Sequence, residues 1–329
     1  MSAPRGSPTL RRPERVLVAL GGNAIQRADD RGTWRESVRE MRRTAAALVP
    51  LARGSRELIV THGNGPQVGT LLREAELGST EVPVPPLHVL GAETEGQLGY
   101  LIAQSLASAF RAGGVHRTVL PLVSQMVVSP RDPAFHRPTK PVGSFYSERE
   151  ARDLTRRLGW TLREDPGRGG WRRLVPSPRP RRWVEGPAVR ALLDAGFGRT
   201  CVFVVTGGGG IPVVRRAGGF EGVDAVIDKD RSAALVAETL GARTLAIVTD
   251  VPGAAVGFGS SHPRWIGEIR RSELARYARA GEFAEGSMGP KVEAGLRFLA
   301  RPGRRFLITD IGSLAEALAG RAGTRVRSD

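Results

Sequence analysis

Three lysines, Lys140, Lys229 and Lys291, are the only ones in this chain of 329 residues, against 46 arginines. Where arginine serves nearly everywhere, a retained lysine marks a position that uses a compact ammonium in place of a planar fork. Two of the three sit where helix stability argues against them. Lys229 precedes a predicted helix over 230–240, and Lys291 follows Pro290 at the start of one over 290–299. A cation at a helix N-terminus opposes the macrodipole by roughly 0.3–1 kcal/mol when exposed. An anion bound at both N-termini removes that conflict, so phosphate chemistry is the reading these positions favour. Asp228 and Asp230 flank Lys229. Either carboxylate can aim an ammonium group or reach a hard divalent cation, and Asp230 can cap the helix at the same time. Lys140 lies in Pro138-Thr-Lys-Pro141, where spacing alone fits a solvated loop lysine equally well.

Three glycine-rich turns follow predicted strands: Gly21-Gly22-Asn23, His62-Gly63-Asn64-Gly65, and Gly207 to Gly210. Glycine lets the backbone approach a ligand, and successive N–H groups then point at an anion. One such loop need only turn the chain. Three at strand ends, two of them leading toward helices, predict an anion site at the edge where open α/β sheets bind ligands. None matches a common nucleotide fingerprint: there is no G-x-x-x-x-G-K-[ST], and Gly210 runs on into Ile-Pro. There is no H-E-x-x-H and no C-x-x-C, and the five His are dispersed, so no metal site is expected from a protein motif. Cys201, the single cysteine, falls in an apolar strand and is expected to be a buried, inert thiol.

Alternating short apolar runs and amphipathic stretches must position these groups, which predicts an α/β fold with a largely parallel sheet. Strands are expected at 16–20, 57–61, 117–128, 201–206, 244–249 and 305–309. Helices are expected at 34–52, from Pro66, and at 91–110, 230–240, 290–299 and 312–318. Ser147 with Glu150 makes a capping box, and Ser272 is expected to cap a short helix with Glu273 in its first turn. The middle breaks the rhythm. Pro130, Pro133, Pro138 and Pro141 forbid a regular element over 129–146, and 168–182 carries six arginines and no acid. Residues 129–182 read as an excursion from the main sheet, a small lid. It belongs to a first part over 16–200, followed by a second over 201–329, behind a disordered lead-in over 1–15.

Composition excludes several classes. With 40 % hydrophobic and 25 % charged residues the balance is that of a globular protein. No run approaches 18 apolar residues, and one cysteine cannot form a disulfide scaffold. The N-terminal stretch is rich in Pro, Arg and Ser and lacks the apolar core of a signal peptide, so the cytoplasm is the expected compartment and no membrane partner is expected. A net charge of +16 raises polyanion binding, but the arginines are scattered among abundant Ala and Gly, the pattern of compositional bias. Nucleic acid is therefore not an expected partner.

Together the motifs resemble one family. Ala19-Leu-Gly-Gly-Asn-Ala24, His62-Gly-Asn-Gly-Pro-Gln-Val-Gly69, Asp132-Pro-Ala-Phe135, Pro138-Thr-Lys-Pro141, Val175-Pro-Ser-Pro178, Gly207-Gly-Gly-Gly-Ile-Pro212, Ala225-Val-Ile-Asp-Lys-Asp230 and Gly286-Ser-Met-Gly-Pro-Lys-Val-Glu293 are similar, in order, to carbamate kinases of the amino-acid kinase superfamily. The resemblance runs from about Val16 to about Val326. It implies an open three-layer α/β/α sandwich with a mainly parallel central sheet, a small protruding subdomain over the site, and a homodimer. The first part would hold carbamate and the transferred phosphoryl group, and the second the nucleotide. Acetylglutamate-kinase-like relatives carry Lys two residues before the first glycine pair, where this chain has Ala19. Departures from the family run are Glu93 and Glu95, where Met and Gln are commoner, Ser129, where Asp is frequent, and an extra residue at Gly169-Gly170.

The implied reaction is ATP + carbamate ⇌ ADP + carbamoyl phosphate, run toward ATP in arginine degradation by many members. A carbamate oxygen is already anionic and needs no general base, so catalysis rests on in-line positioning and charge stabilisation. By the resemblance, Gly21, Gly22, Asn23, Gly63 and Asn64 face carbamate and the γ-phosphoryl oxygens. Lys140 and Lys229 neutralise the transition state, Asp230 orients the lysines, and Lys291 holds ATP phosphates. Gly208, Gly209, Gly210, Asp228, Asp250, Val251, Pro252 and Met288 line the nucleotide pocket, with Mg²⁺ bridging the β- and γ-oxygens. The alternatives are another acyl-phosphate kinase of the superfamily, and a non-catalytic sensor or nucleic-acid-binding protein on the same fold.

Overall fold

The computed structural model describes residues 13–26, 30, 32–165, 169–260, 262–284 and 287–329, with Asn23 described in its backbone alone. The lead-in expected over 1–15 lies outside these residues up to position 12. Its last member, Arg15, instead opens the first strand, its guanidinium held by Glu57, Asp194 and the Leu240 carbonyl.

The chain begins β1 (Arg15–Leu20), α1 (Trp34–Arg53), β2 (Glu57–His62), α2 (Gly65–Leu77), α3 (Leu87–Ala112), β3 (Thr118–Pro121) and β4 (Gln125–Val127). Then come β5 (Lys140–Tyr146), α4 (Glu148–Leu158), β6 (Thr161–Glu164), β7 (Trp171–Val175), β8 (Arg182–Trp183), α5 (Gly186–Asp194), β9 (Cys201–Val204), β10 (Ile211–Arg216) and β11 (Gly219–Gly222). The remainder is α6 (Lys229–Leu240), β12 (Thr244–Thr249), β13 (Ala255–Val256), β14 (Arg264–Trp265), β15 (Glu268–Arg270), α7 (Arg271–Arg279), α8 (Met288–Phe298), β16 (Arg305–Asp310), α9 (Leu314–Leu318) and β17 (Thr324–Arg327).

Among the described residues, eight strands make the central sheet in the order β15-β17-β16-β12-β1-β2-β9-β3, with β16 and β17 the antiparallel neighbours in an otherwise parallel ladder. Successive residues of a strand face opposite sides. Val16, Val18 and Leu20 pack with α1 and α3, while Leu17 and Ala19 pack with α6 and α8. A strand covered on both faces must be apolar throughout, which is why Val16–Leu20 is an unbroken apolar run. The result is a three-layer α/β/α sandwich. Its parallel ladder brings strand carboxyl ends and the N-termini of following helices to one edge, and helix C-termini to the other.

Several local expectations are corrected. The stretch 117–128 is two strands. β3 stays in the central sheet, whereas β4 joins a second sheet, β11-β10-β4-β8. The turn between them is held by side chains: Glu95 accepts the Ser124 N–H, and the Ser124 hydroxyl accepts the Thr206 N–H. The prolines do not forbid regular structure up to 146, because β5 runs through Pro141. It is an edge strand of a third sheet, β5-β7-β6, with Pro141 opposite Leu174, and a missing N–H is tolerated on an outer edge. Ser272 does not cap α7; its N–H and hydroxyl donate to Asp329, and the helix begins at Arg271.

The β4–β8 pair, Met126 opposite Trp183 and Val127 opposite Arg182, closes the neck from which the third sheet and α4 protrude. That protrusion is anchored by Val142 and Val175, which pack with Val68, Leu72, Leu87 and Leu90 of α2 and α3. Among the described residues no helix is long and apolar enough to cross a membrane.

Candidate active site

β1 lies between β2 and β12, so the turns after these three strands converge at the carboxyl edge of the sheet. The Gly21 N–H donates to the Val248 carbonyl at 3.0 Å, and the Gly63 N–H donates to the Leu20 carbonyl at 3.0 Å. The Gly21 approach depends on a missing side chain, whereas one at Gly63 would meet its neighbours at ordinary contact distance. A Cβ at Gly21 would stand 2.8 Å from the Val248 oxygen, and one at Gly63 would stand 3.4 Å from Lys229 Cδ. The Gly63 contact places the Lys229 stem directly over the second turn. The side chain of Asn23 lies outside the described residues.

Asp228 and Asp230 divide their duties differently from the expectation. Asp228 is the N-cap of α6, accepting the N–H groups of Asp230 at 3.0 Å and Arg231 at 3.2 Å. Its other oxygen faces Lys140 Nζ at 3.4 Å, and that ammonium also donates to the Ile227 carbonyl at 3.2 Å. Lys140 is therefore brought to the site from the first residue of β5. Asp230 does not cap. It is 3 % exposed and accepts from Lys229 Nζ at 2.6 Å on one oxygen and from Lys291 Nζ at 3.1 Å on the other. Burial alone would raise this carboxyl, but the two ammonium groups overcome it and hold the carboxyl down at about 2.

The N-termini of α2, α6 and α8 all meet this edge, with Lys229 as the first residue of α6 and Lys291 in the first turn of α8. The conflict with the macrodipole is thus partly relieved inside the protein, by Asp230. It is not fully relieved, because three ammonium groups share two carboxylates and leave a net positive charge beside three positive helix ends. The arrangement can hold and neutralise a phosphoryl group.

The third glycine turn serves a different purpose from a bare phosphate cradle. Gly207 to Gly210 is wholly buried. A Cβ at Gly208 would stand 2.2 Å from Asn64 Nδ2, and one at Gly209 would stand 2.7 Å from the Ile227 carbonyl oxygen. Gly210 backs onto Met126. These glycines let β9's exit pack against the side chains and backbone that line the site. Asn64 is buried, and its amide donates to Thr94 Oγ1 at 2.8 Å. His62 is buried beneath; its Nδ1–H donates to the Gly63 carbonyl at 3.1 Å, leaving Nε2 as the acceptor. Burial brings the imidazole down to about 4, with Lys229 pushing the same way.

The remaining sequence candidates are more peripheral. Asp250, Val251 and Pro252 follow β12, next to the Gly21 turn, with Asp250 accepting from Thr249 Oγ1 at 3.0 Å. Met288 opens α8 and packs partly against the core, one residue after Ser287, whose carbonyl accepts from Lys291 Nζ. Of the departures, Glu93 is exposed, Ser129 half-buried and Glu95 buried. The support that α3 gives through Thr94 and Glu95 was not among the sequence candidates. Its sequence signal is a polar pair inside a largely apolar helix. Cys201 is a buried free thiol.

Among the described residues no group of three or more His, Cys, Asp or Glu is arranged to hold a metal ion. A cavity of about 970 Å³ lies elsewhere, at the opposite edge of the sheet, lined by Arg53, Arg117, Arg199, Arg243 and Arg305 among others. The convergent polar groups at the carboxyl edge, and not cavity size, single out the site.

Comparison with known proteins follows the same lines. The amino acid kinase family model matches residues 14–310. The chain is 42 % identical over 316 residues to carbamate kinase of Pyrococcus horikoshii, spanning 95 % of this chain and 99 % of that one. It is 44 % identical over 316 residues to carbamate kinase of Thermococcus kodakarensis, with the same 95 % and 99 % coverage. The solved structure of carbamate kinase from Giardia lamblia bound to AMP-PNP matches with a TM-score of 0.88 at 39 % identity, covering 96 % of this chain and 99 % of that one. With its sheet order, its lysine-lined carboxyl edge and a family match over most of its length, this chain belongs to the amino acid kinase family.

Proposed function

We propose that the protein is a carbamate kinase, catalysing ATP + carbamate ⇌ ADP + carbamoyl phosphate. The observation that carries the reading is Asp230, a buried carboxylate that fixes the Lys229 and Lys291 ammonium groups beside the glycine turns. Full-length similarity to carbamate kinases supports the choice of acceptor.

In the forward direction a carbamate oxygen attacks the γ-phosphorus, the new P–O bond forms, and the bond to the β,γ-bridging oxygen breaks. ADP leaves with the electron pair, and no proton need move. The backbone N–H groups at Gly22 and Asn23, together with Asn64, hold carbamate and phosphoryl oxygens, while Gly21 and Gly63, whose N–H groups are spent on the Val248 and Leu20 carbonyls, shape the turns that let these oxygens approach. Lys229 and Lys140 meet the charge spread over the transferring group, and Lys291 holds the nucleotide phosphates. Asp230 keeps its two ammonium groups apart and aimed, so little reorganisation is needed during transfer. Asp228 holds Lys140 and caps α6. The nucleotide lies against Asp250–Pro252 and Met288, with the buried Gly208–Gly210 turn packed behind the site.

Both carboxylates at the site already face ammonium groups. They fit a Mg²⁺ ion carried mainly by the phosphate oxygens of ATP and not by a protein cage. When bound there, Mg²⁺ neutralises charge on the β- and γ-phosphates. The family resemblance also supports a homodimer in the cytoplasm, and light scattering checks the mass.

Another acyl-phosphate kinase of the family is the competing reading. Ala19, where acetylglutamate-kinase-like relatives carry Lys, is fully buried and apolar in this chain, which disfavours it. ATP formation from ADP with carbamoyl phosphate, acetyl phosphate and an N-acylglutamyl phosphate decides. Carbamoyl phosphate is expected to be used most efficiently, and a higher kcat/KM for either of the others reassigns the acceptor.

A further inference from the structure

The turn after β9 is the most constrained backbone at the site, and Glu95 stands against it. Thr206 has φ 49° and ψ 44°, and among the described residues no other non-glycine residue has positive φ. A β-branched residue stays in that region only when its neighbours over-determine it. Those neighbours are Ser124 Oγ, which accepts the Thr206 N–H at 3.0 Å, and Thr61 Oγ1, which donates to the Thr206 carbonyl at 3.0 Å. The next residue, Gly207, is wedged between two side chains. A Cβ there would lie 2.4 Å from His62 Nε2 and 2.7 Å from Glu95 Cγ. Gly208 then packs on Asn64, whose amide rests on Thr94. Two successive residues of α3 thus support the turn and the Asn64 side chain.

Glu95 is 4 % exposed. Its Oε2 accepts the Ser124 N–H at 2.8 Å, while Oε1 is sealed from solvent with no hydrogen-bond partner. Among the described residues no cation pairs with it. The titratable groups around it are Glu185, which holds Gln125 beside Ser124, the neutral His62 of β2, and Lys229 acting on His62. Burial first, then Glu185, push the carboxyl well above its usual range; the Ser124 N–H bond opposes them, with a smaller contribution from the Gly207 N–H, which lies nearby without completing a hydrogen bond.

We propose that Glu95 is a positioning residue whose buried carboxyl pins the Thr206–Gly208 turn against Ser124 and His62 and so fixes Asn64 at the phosphoryl site. The inference rests on the functional reading above. The pin works as a neutral acid, since a carboxylate at this place would have one oxygen without solvent or partner. Its ionisation loosens the turn and with it Asn64, so catalysis declines on the alkaline side.

Glu95→Gln and Glu95→Ala test this in the full-length protein. Gln keeps the shape and removes the titration. In the wild type, stability linked to a neutral Glu95 is complete below pH 4.5 and is lost as pH rises toward the folded-state value. The Tm of Glu95→Gln minus that of wild type should therefore increase from pH 5 to pH 9, a readout that needs no activity. Wild-type kcat should fall at least threefold more than that of Glu95→Gln as pH rises through the point at which the Tm difference levels off. Glu95→Ala, if folded, should lose about tenfold in kcat with KM for ADP within twofold. A growing Tm difference with coincident kcat profiles would make Glu95 a core group only and overturn the positioning role, as would coincident curves in both measurements. Pins that behave as predicted in Tm while carbamoyl phosphate is not a substrate would place the failure in the assigned function.

Discussion

The two edges of the central sheet carry positive charge in opposite ways. At the amino edge, arginines agree with the backbone around them. Arg53 donates twice to the Gly113 carbonyl, and Arg117 donates to the carbonyls of Gly54 and Arg56. Gly54 and Gly113 end α1 and α3, and helix C-termini favour cations. Arg305 pairs with Glu14. At the carboxyl edge, Lys229 and Lys291 oppose the dipoles of α6 and α8 and are fixed by one buried carboxylate. The contrast teaches that clustered charge by itself does not mark a site. Arginines that complete helix ends need no ligand. Lysines placed against helix dipoles, and only partly neutralised, do.

Substitutions at the two edges should separate accordingly. The largest effect is expected from Lys229→Ala, which should lower kcat by about 10²–10³-fold while circular dichroism shows the fold retained. Retained activity within a few-fold would collapse the distinction between the edges.

Asp230→Asn should come next. It leaves two ammonium groups sharing an amide, with an expected loss of about 3–5 kcal/mol in stability at neutral pH and a reduced kcat. Because the folded Asp230 titrates at about 2, below its usual 3.8, its contribution is present above pH 4 and lost as pH falls toward 2. The urea midpoints of wild type and variant should converge over that interval. Parallel midpoints down to pH 2 would mean that Asp230 is not the charged anchor described.

Lys140→Ala should cost about tenfold in kcat, the scale of one charge-assisted hydrogen bond. At the other edge, Arg117→Ala should lower stability by about 1–3 kcal/mol through lost carbonyl partners, with kcat unchanged within twofold. The exposed Arg243→Ala should be the quietest, within about 0.5 kcal/mol of wild type by urea unfolding. Loss of activity on changing either arginine would connect the amino edge to catalysis.

Much of this division was legible in the sequence, for physical reasons that can be named. A composition that nearly abolishes lysine makes Lys140, Lys229 and Lys291 conspicuous. The glycine turns and apolar runs predict strand ends, and eight ordered motifs point to the family that the comparisons then establish. What sequence could not assign depended on distant partners. Asp228 and Asp230 are two residues apart and chemically alike; which one caps α6 and which holds the lysines is decided by where Lys140 and Lys291 arrive in space. β5 escaped because Pro141 is compatible with a strand only when its partner, β7, leaves it an outer edge. Glu95 was visible as a departure, but its contacts with Ser124 and Gly207 join segments far apart in the chain.

The opposition between the two edges comes down to ATP formed from ADP, Mg²⁺ and fresh carbamoyl phosphate by wild type, Lys229→Ala and Arg243→Ala in parallel. Wild type and Arg243→Ala should form ATP rapidly, and folded Lys229→Ala should lose at least a hundredfold. Equal rates in all three proteins, or no ATP from the folded wild type, would contradict it.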